Sequence, residues 1–167
     1  MVQQAINLSP EWVEQRNKTM SSYRQILYHI IFHTKSGKQT LNQEYAKELY
    51  AYINGFIKQK NCFLYRINGI ENHIHLLSDL HPSLALADYM RDMKASSSLW
   101  LKKNEKFPYF EGWAEGYGAF TYAWRDKDVI VNYIKNQQEH HKTMSFEEEY
   151  RQLLKEFGIE YDERFLI

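Results

Sequence analysis

A single cysteine, Cys62, stands in 167 residues, so no disulfide framework holds this chain together. Cys62 borders a stretch that reads as a strand and is expected to be a small core residue. The N-terminus carries no charged-then-apolar leader, and no apolar run approaches the ~18 residues a spanning helix needs. A cytoplasmic protein in a reducing compartment, away from the membrane, is the expectation. An excess of charge of one sign is missing as well: 21 Lys and Arg face 21 Asp and Glu, for a formal net charge of zero. A non-specific binder of duplex nucleic acid would be basic, so that class is disfavoured, although a local basic groove is compatible with neutrality. Repeats and low-complexity tracts are absent too. Aromatic residues are plentiful, with 13 Tyr, 9 Phe and 4 Trp, enough for stacking surfaces besides a core. The length suits one domain.

Residues 1–19 read as a separate extension, in which Ser9 as N-cap and Pro10 at the first helical position start a short helix. A main domain is expected over 20–144, with a C-terminal helix and tail over 145–167 packed on it. Tyr23 to Thr34 reads as a strand, with Ile26, Tyr28, Ile30 and Phe32 on one face and Leu27, His29, Ile31 and His33 on the other. Asn42 opens a helix to about Lys60, whose stripe Tyr45, Leu49, Tyr52, Ile53, Phe56 and Ile57 is core. Cys62–Asn68 and Asn72–Leu80 are the next strands. Ser83 is the expected N-cap of a helix to about Lys103, buried through Leu84, Ala87, Met90 and Leu99. Ala119–Trp124 is a short fourth strand, and Asp126 starts a helix to about His141. Ser145 and Glu148 form a capping box for a last helix that stops at Gly158. The first six elements follow the βαββαβ order of an α+β, ferredoxin-like split βαβ fold, in which the first and third strands are central neighbours.

The third strand carries His73-Ile74-His75. Residues two apart in a strand share a face, with Cα atoms roughly 6–7 Å apart, so both imidazoles can lean onto one cation while Ile74 is locked into the core. A helix would splay them by about 200°. A structural histidine pair remains the plainer alternative for this motif alone. On the helix from Asp126, Tyr133 and Gln137 lie one turn apart on one face; alone, they read as a packing residue and a solvated amide. Arg91, Lys94, Lys102 and Lys103 give the Ser83–Lys103 helix a basic side, either a solvated face or a phosphate-contacting surface.

Taken together, three blocks resemble the single-tyrosine transposases with a His–hydrophobe–His motif, the insertion-sequence and REP-associated tyrosine transposases. The blocks are Asn72-His73-Ile74-His75-Leu76-Leu77, then Gly112-Trp113 with Gly116-Tyr117-Gly118-Ala119-Phe120, then Tyr133-Ile134 with Gln137 and Glu139-His140-His141-Lys142. The resemblance runs from about Met20 to the C-terminus. It implies that His73, His75 and Gln137 are metal ligands and that Tyr133 is the nucleophile. It also implies cleavage and rejoining of single-stranded DNA at hairpins through a 5′-phosphotyrosine, by a homodimer that in some members shares its sites between subunits.

Mixed nitrogen and oxygen ligands suit Mg²⁺ or Mn²⁺, and two imidazoles would also take Zn²⁺ or Ni²⁺. His29, His140 and His141 are candidates for a base by residue type only. Arg91, Lys94, Lys102, Lys103, Arg125 and Lys127 are candidate DNA contacts, and Tyr109, Phe110 or Trp113 could stack a base. Glu147, Glu148 and Glu149 read as a solvated helix face, or as a shield against non-cognate DNA. Three alternatives stay open: a domesticated repeat-binding relative, an RNA-binding ferredoxin-like domain, and a metal-dependent phosphoesterase that uses water and has no need of Tyr133.

Overall fold

The computed structural model describes residues 24–166, so the helix expected to start at Ser9 and the first residue of the expected Tyr23 strand lie outside it. The elements run β1 (Leu27–His33), α1 (Ala46–Gln59), β2 (Leu64–Gly69), β3 (His73–Ser78), α2 (Leu86–Lys102), β4 (Gly118–Tyr122), α3 (Lys127–Lys135), α4 (Gln137–His140) and α5 (Phe146–Glu156). The strands form one sheet in the order β2-β3-β1-β4, antiparallel throughout. This is the split βαβ arrangement, with β1 and β3 at its centre.

Strand alternation sorts β1 into two faces, and each is covered. Ile30 and Phe32, with Ile74 and Leu76 of β3, pack against Leu49, Ile53 and Ile57 of α1 and Tyr89, Met90 and Met93 of α2. On the other face Ile31 joins Phe120 with Phe146, Leu153 and Leu154 of α5, while Leu27 and Leu77 meet Ile130 and Ile134 of α3. Fully burying a residue such as Ile53 or Ile134 is worth about 1.5–3 kcal/mol, so the two layers hold the sheet from both sides.

Several local expectations shift. Ile26 lies before β1 and is 47% exposed. The N-cap of α2 is Ala85, with no side-chain cap; Ser83 bonds instead to the His81 ring. The buried side of α2 is Tyr89, Met90, Met93, Ser97 and Leu101, which leaves Ala87 and Leu99 facing outward. Leu99 is nine residues from Met90, half a turn out of phase at 3.6 residues per turn. On α3, Val129 is likewise exposed. The capping box is formed, with Ser145 and Glu148 each bonding the other's backbone N–H.

The helix expected from Asp126 to His141 is broken. A 3-10 turn over Trp124–Asp126 precedes α3, and Asn136 leaves helical geometry between α3 and α4. The cause lies on β2, about 70 residues upstream in sequence. The Asn68 Nδ2 donates to the carbonyls of Ile134 and Lys135, both at 3.0 Å. Asn68 and Gln138 then exchange amide hydrogen bonds at 3.0 Å in each direction. A side chain that takes the last carbonyls of a turn ends the i→i−4 ladder there.

Gly69 closes β2 where the chain turns back into the His-bearing strand. A Cβ there would sit 2.1 Å from the backbone oxygen of His73, and backbone cannot yield as a flexible side chain does. Gly69→Ala is expected to cost about 1–3 kcal/mol, seen in a thermal melt as a fall of roughly 3–10 °C.

Candidate active site

β3 delivers His73 and His75 to the face covered by α3–α5, and neither imidazole is exposed. Across the ladder His73 faces His33 and His75 faces Ile31. Each ring is oriented through its Nδ1: that of His73 lies 2.8 Å from the Asn72 side-chain oxygen, and that of His75 lies 2.9 Å from His29 Nε2. Fixing Nδ1 turns Nε2 inward in both rings. His33, on the same face, spends its Nδ1–H on the carbonyl of Thr34 and packs against Phe146, a structural placement.

Tyr133 and Gln137 reach the same point from either side of the break at Asn136. The Tyr133 hydroxyl donates to Glu149 Oε1, and Gln137 Nε2 donates to that same oxygen at 3.0 Å. The Tyr133 ring lies 6.0 Å from those of His75 and His29. The break therefore leaves the two residues converging, although not stacked along one straight helix.

Glu149 stands at the middle of this group and is 2% exposed, which corrects its reading as part of a solvated or shielding face; Glu147 and Glu148 are exposed. Its Oε2 lies 3.3 Å from His75 Nε2, 3.8 Å from His73 Nε2 and 3.1 Å from His141 Nε2. His141 also meets Gln137 Oε1 at 2.9 Å and donates through Nδ1 to the carbonyl of Met144. His140 stands 3.5 Å from Glu149 Oε1. Glu149 was legible in one respect: with Phe146, Leu153 and Leu154 it occupies the buried stripe of α5, and an acid on an apolar stripe signals a buried charge with partners.

Electrostatics follow the burial. Burial pushes the His29 and His73 imidazoles well below their ordinary value, so both are neutral. Burial alone would raise Glu149, but the imidazoles of His141 and His75 close to its oxygens, and the Tyr133 hydroxyl, outweigh it and hold the carboxylate ionised. Burial, and then the Glu149 charge, push the Tyr133 phenol far above its ordinary value. For His141 burial pulls downward, yet Glu149 raises it overall.

The donor set fits a divalent cation. His73 Nε2, His75 Nε2 and Glu149 Oε2 are buried with no hydrogen-bond partner, and orphaned buried polar atoms are costly unless something else satisfies them. One donor atom each from His73, His75, His141 and Glu149 lies within 4.8 Å of the others. Two ligands about 2.1 Å from one ion stand no more than about 4.2 Å apart, so a contraction of about 0.6 Å at most would close the group on one. Neutral imidazoles and an ionised carboxylate are the forms that coordinate metals.

The basic residues separate. Arg91, Lys94, Lys102 and Lys103 lie on or just after α2, on the sheet face opposite the His pair. Arg91 is paired with Asp88 and Asp92. Lys94 donates to the carbonyls of Glu115 and Gly116, which ties α2 to the loop before β4. Lys102 and Lys103 are exposed. Arg125, 87% exposed, and Lys127, stacked over Trp124, sit at the head of α3, on the site's own face. Phe110 and Trp113 pack into the core, whereas Tyr109 is 78% exposed.

Two solved structures share this sheet and helix arrangement. A protein from Deinococcus radiodurans assigned as a transposase is 25% identical, with a TM-score of 0.53 over 72% of this chain and 96% of its own. A REP-associated tyrosine transposase bound to a REP hairpin, 15% identical, shares the fold at a TM-score of 0.52 over 73% of this chain and 74% of its own. In sequence, the transposases for insertion sequence element IS200 of Salmonella typhimurium and Salmonella typhi are each 29% identical over 120 residues, 69% of this chain and 78% of theirs. The family model described as IS200-like transposase matches residues 22–137. The chain belongs to the IS200-like transposase family, enzymes of DNA strand transfer. Among the described residues no helix is long and apolar enough to cross a membrane.

Proposed function

We propose that this transposase cuts and rejoins single-stranded DNA at hairpin-marked sites through a covalent 5′-phosphotyrosine on Tyr133, with His73, His75 and Gln137 holding Mg²⁺ or Mn²⁺. The observation that carries the reading is convergence: β3, α3 and α4 bring these four side chains together around Glu149 on one covered sheet face. When bound, the ion orients a phosphodiester and draws off the charge that develops on its non-bridging oxygens. Tyr133 Oη attacks the phosphorus, the bond to O3′ breaks, and the phosphate stays on the 5′ end of the downstream strand as a tyrosine ester. The ester retains the bond energy, so a 3′-OH can reverse the step, which rejoining requires. His29 and Asn72 keep the two Nε2 atoms inward throughout.

Arg125 and Lys127 are placed to meet the strand that enters beside α3, and Lys102 and Lys103 to contact more distant phosphates. The chain acts as a homodimer in this reading. Each subunit holds Tyr133 beside its own His pair, which supports a site built within one chain. Both sheet faces are covered by helices, which argues against the RNA-binding alternative, since that needs a bare sheet for stacking bases.

The test is label transfer with hairpin oligonucleotides taken from the genomic flanks, with Mn²⁺ or Mg²⁺, on a denaturing gel. A 3′ label should move with the protein and a 5′ label should leave on a shortened strand. Cleavage without any adduct would point to water as the nucleophile and overturn the proposal. A smaller effect is expected behind the His pair. Replacing His29 with leucine removes the partner of His75 Nδ1 and should weaken Mn²⁺ binding about 10–100-fold, as read by calorimetric titration.

A further inference from the structure

The family match ends at Gln137, yet the site does not. Glu149, on α5, stands at its middle, and its two oxygens have separate partners. Oε1 takes the Tyr133 hydroxyl and the Gln137 amide, while Oε2 is aimed at the three Nε2 atoms of His73, His75 and His141. Oε2 and the Nε2 atoms of His73 and His75 are buried without a hydrogen-bond partner, an arrangement that burial penalises. An ion among those nitrogens would satisfy Oε2 and the two orphaned imidazole atoms together.

We infer that Glu149 is a ligand of the divalent cation through Oε2 and a positioning residue for Tyr133 through Oε1, so that one carboxylate sets the nucleophile at a fixed distance from the ion. The inference rests on the proposed metal site and adds to it a carboxylate from outside the matched region. The capping box at Ser145 fixes the start of α5, and Phe146 and Leu153 anchor it on the sheet, so Glu149 is held by a rigid element. A hard anionic oxygen beside imidazoles also shifts the expected preference toward Mn²⁺ over softer ions.

The experiment is calorimetric titration of the full chain with MnCl₂ in the absence of DNA, comparing wild type with Glu149→Gln, Glu149→Asp, His75→Ala and Glu147→Gln. Metal-free melting curves establish that each variant is folded. Glu149→Gln keeps the side-chain volume and loses the charge, whereas Glu149→Asp keeps the charge and draws it back from both partners. Both should weaken Mn²⁺ at least about 10-fold, as should His75→Ala. Glu147→Gln removes an exposed charge two residues away, salt-bridged to Arg151, and should bind as wild type does. If the Glu149 variants bind as tightly as wild type, or more tightly, while His75→Ala loses the ion, Glu149 is no ligand and the inference falls with the proposed site intact. If wild type itself binds no Mn²⁺ at millimolar concentration, the metal reading and this inference fall together.

Discussion

Tyr133→Phe is expected to abolish the covalent protein–DNA adduct, a loss of about 10⁴-fold or more, while hairpin binding and the fold persist. The reasoning is local. Phenylalanine keeps the ring that packs beside His29, His75 and His140, so the shape of the pocket is unchanged. Glu149 Oε1 loses one donor but keeps Gln137 Nε2 at 3.0 Å, so no buried oxygen is stranded, and the stability change should stay within about 1.5 kcal/mol. What disappears is the only atom of residue 133 that can form a phosphoester. The measurement is label transfer from a 3′-labelled hairpin, with a gel-shift on the same preparation to show that DNA is still bound. An adduct that survives the substitution would assign the chemistry elsewhere. Tyr122, whose ring lies 6.1 Å from His29, would be the first residue to examine.

The wild-type reaction should also accelerate as pH rises across the neutral range. Burial and the Glu149 charge hold the phenolic proton more tightly than in water, and attack requires its loss. Rate measured from neutral to alkaline pH should therefore climb without reaching a plateau near the ordinary tyrosine value.

The features that were legible in the sequence are those set by local periodicity. The alternation of β1 and β3 and the Ser145 capping box depend on neighbours within a few residues and stand as expected, as do Leu49, Ile53 and Ile57 of the α1 stripe, whereas Tyr45, Tyr52 and Phe56 are only half-buried. The convergence of His73 and His75 with Tyr133 and Gln137 was legible through motif order. The break at Asn136 was not, because its cause is Asn68, a residue of another strand that reaches the carbonyls of Ile134 and Lys135 only after the sheet has formed. Glu149 is masked in the sequence by its neighbours: three consecutive acids suggest a wet surface, whereas the phase of α5 puts the third of them inward. The pairing of Arg91 is written in the sequence, where Asp88 three residues before and Asp92 directly after neutralise it. Leu99 shows how a helix phase anchored at one residue drifts, because Leu101 takes the inward position.

The rigidity of their supports ranks the proposed metal donors. His75→Ala should reduce adduct formation about 10³-fold or more, in keeping with the several kcal/mol a metal contributes to such a step, and Gln137→Ala should cost markedly less, about 10–100-fold. His75 lies mid-sheet, fully buried, and is backed by His29 through Nδ1, so no neighbouring donor can move into its place. Gln137 begins a four-residue helix just past a break, offers a neutral amide, and has His141 and Glu149 within reach of the same point. Raising Mn²⁺ to tens of millimolar should restore much of the Gln137→Ala activity and little of that of His75→Ala. Equal losses that neither responds to would mean that Gln137 acts by holding His141 and Glu149 in place, since its amide contacts both, and that the strand histidines and α5 carry the ion without it.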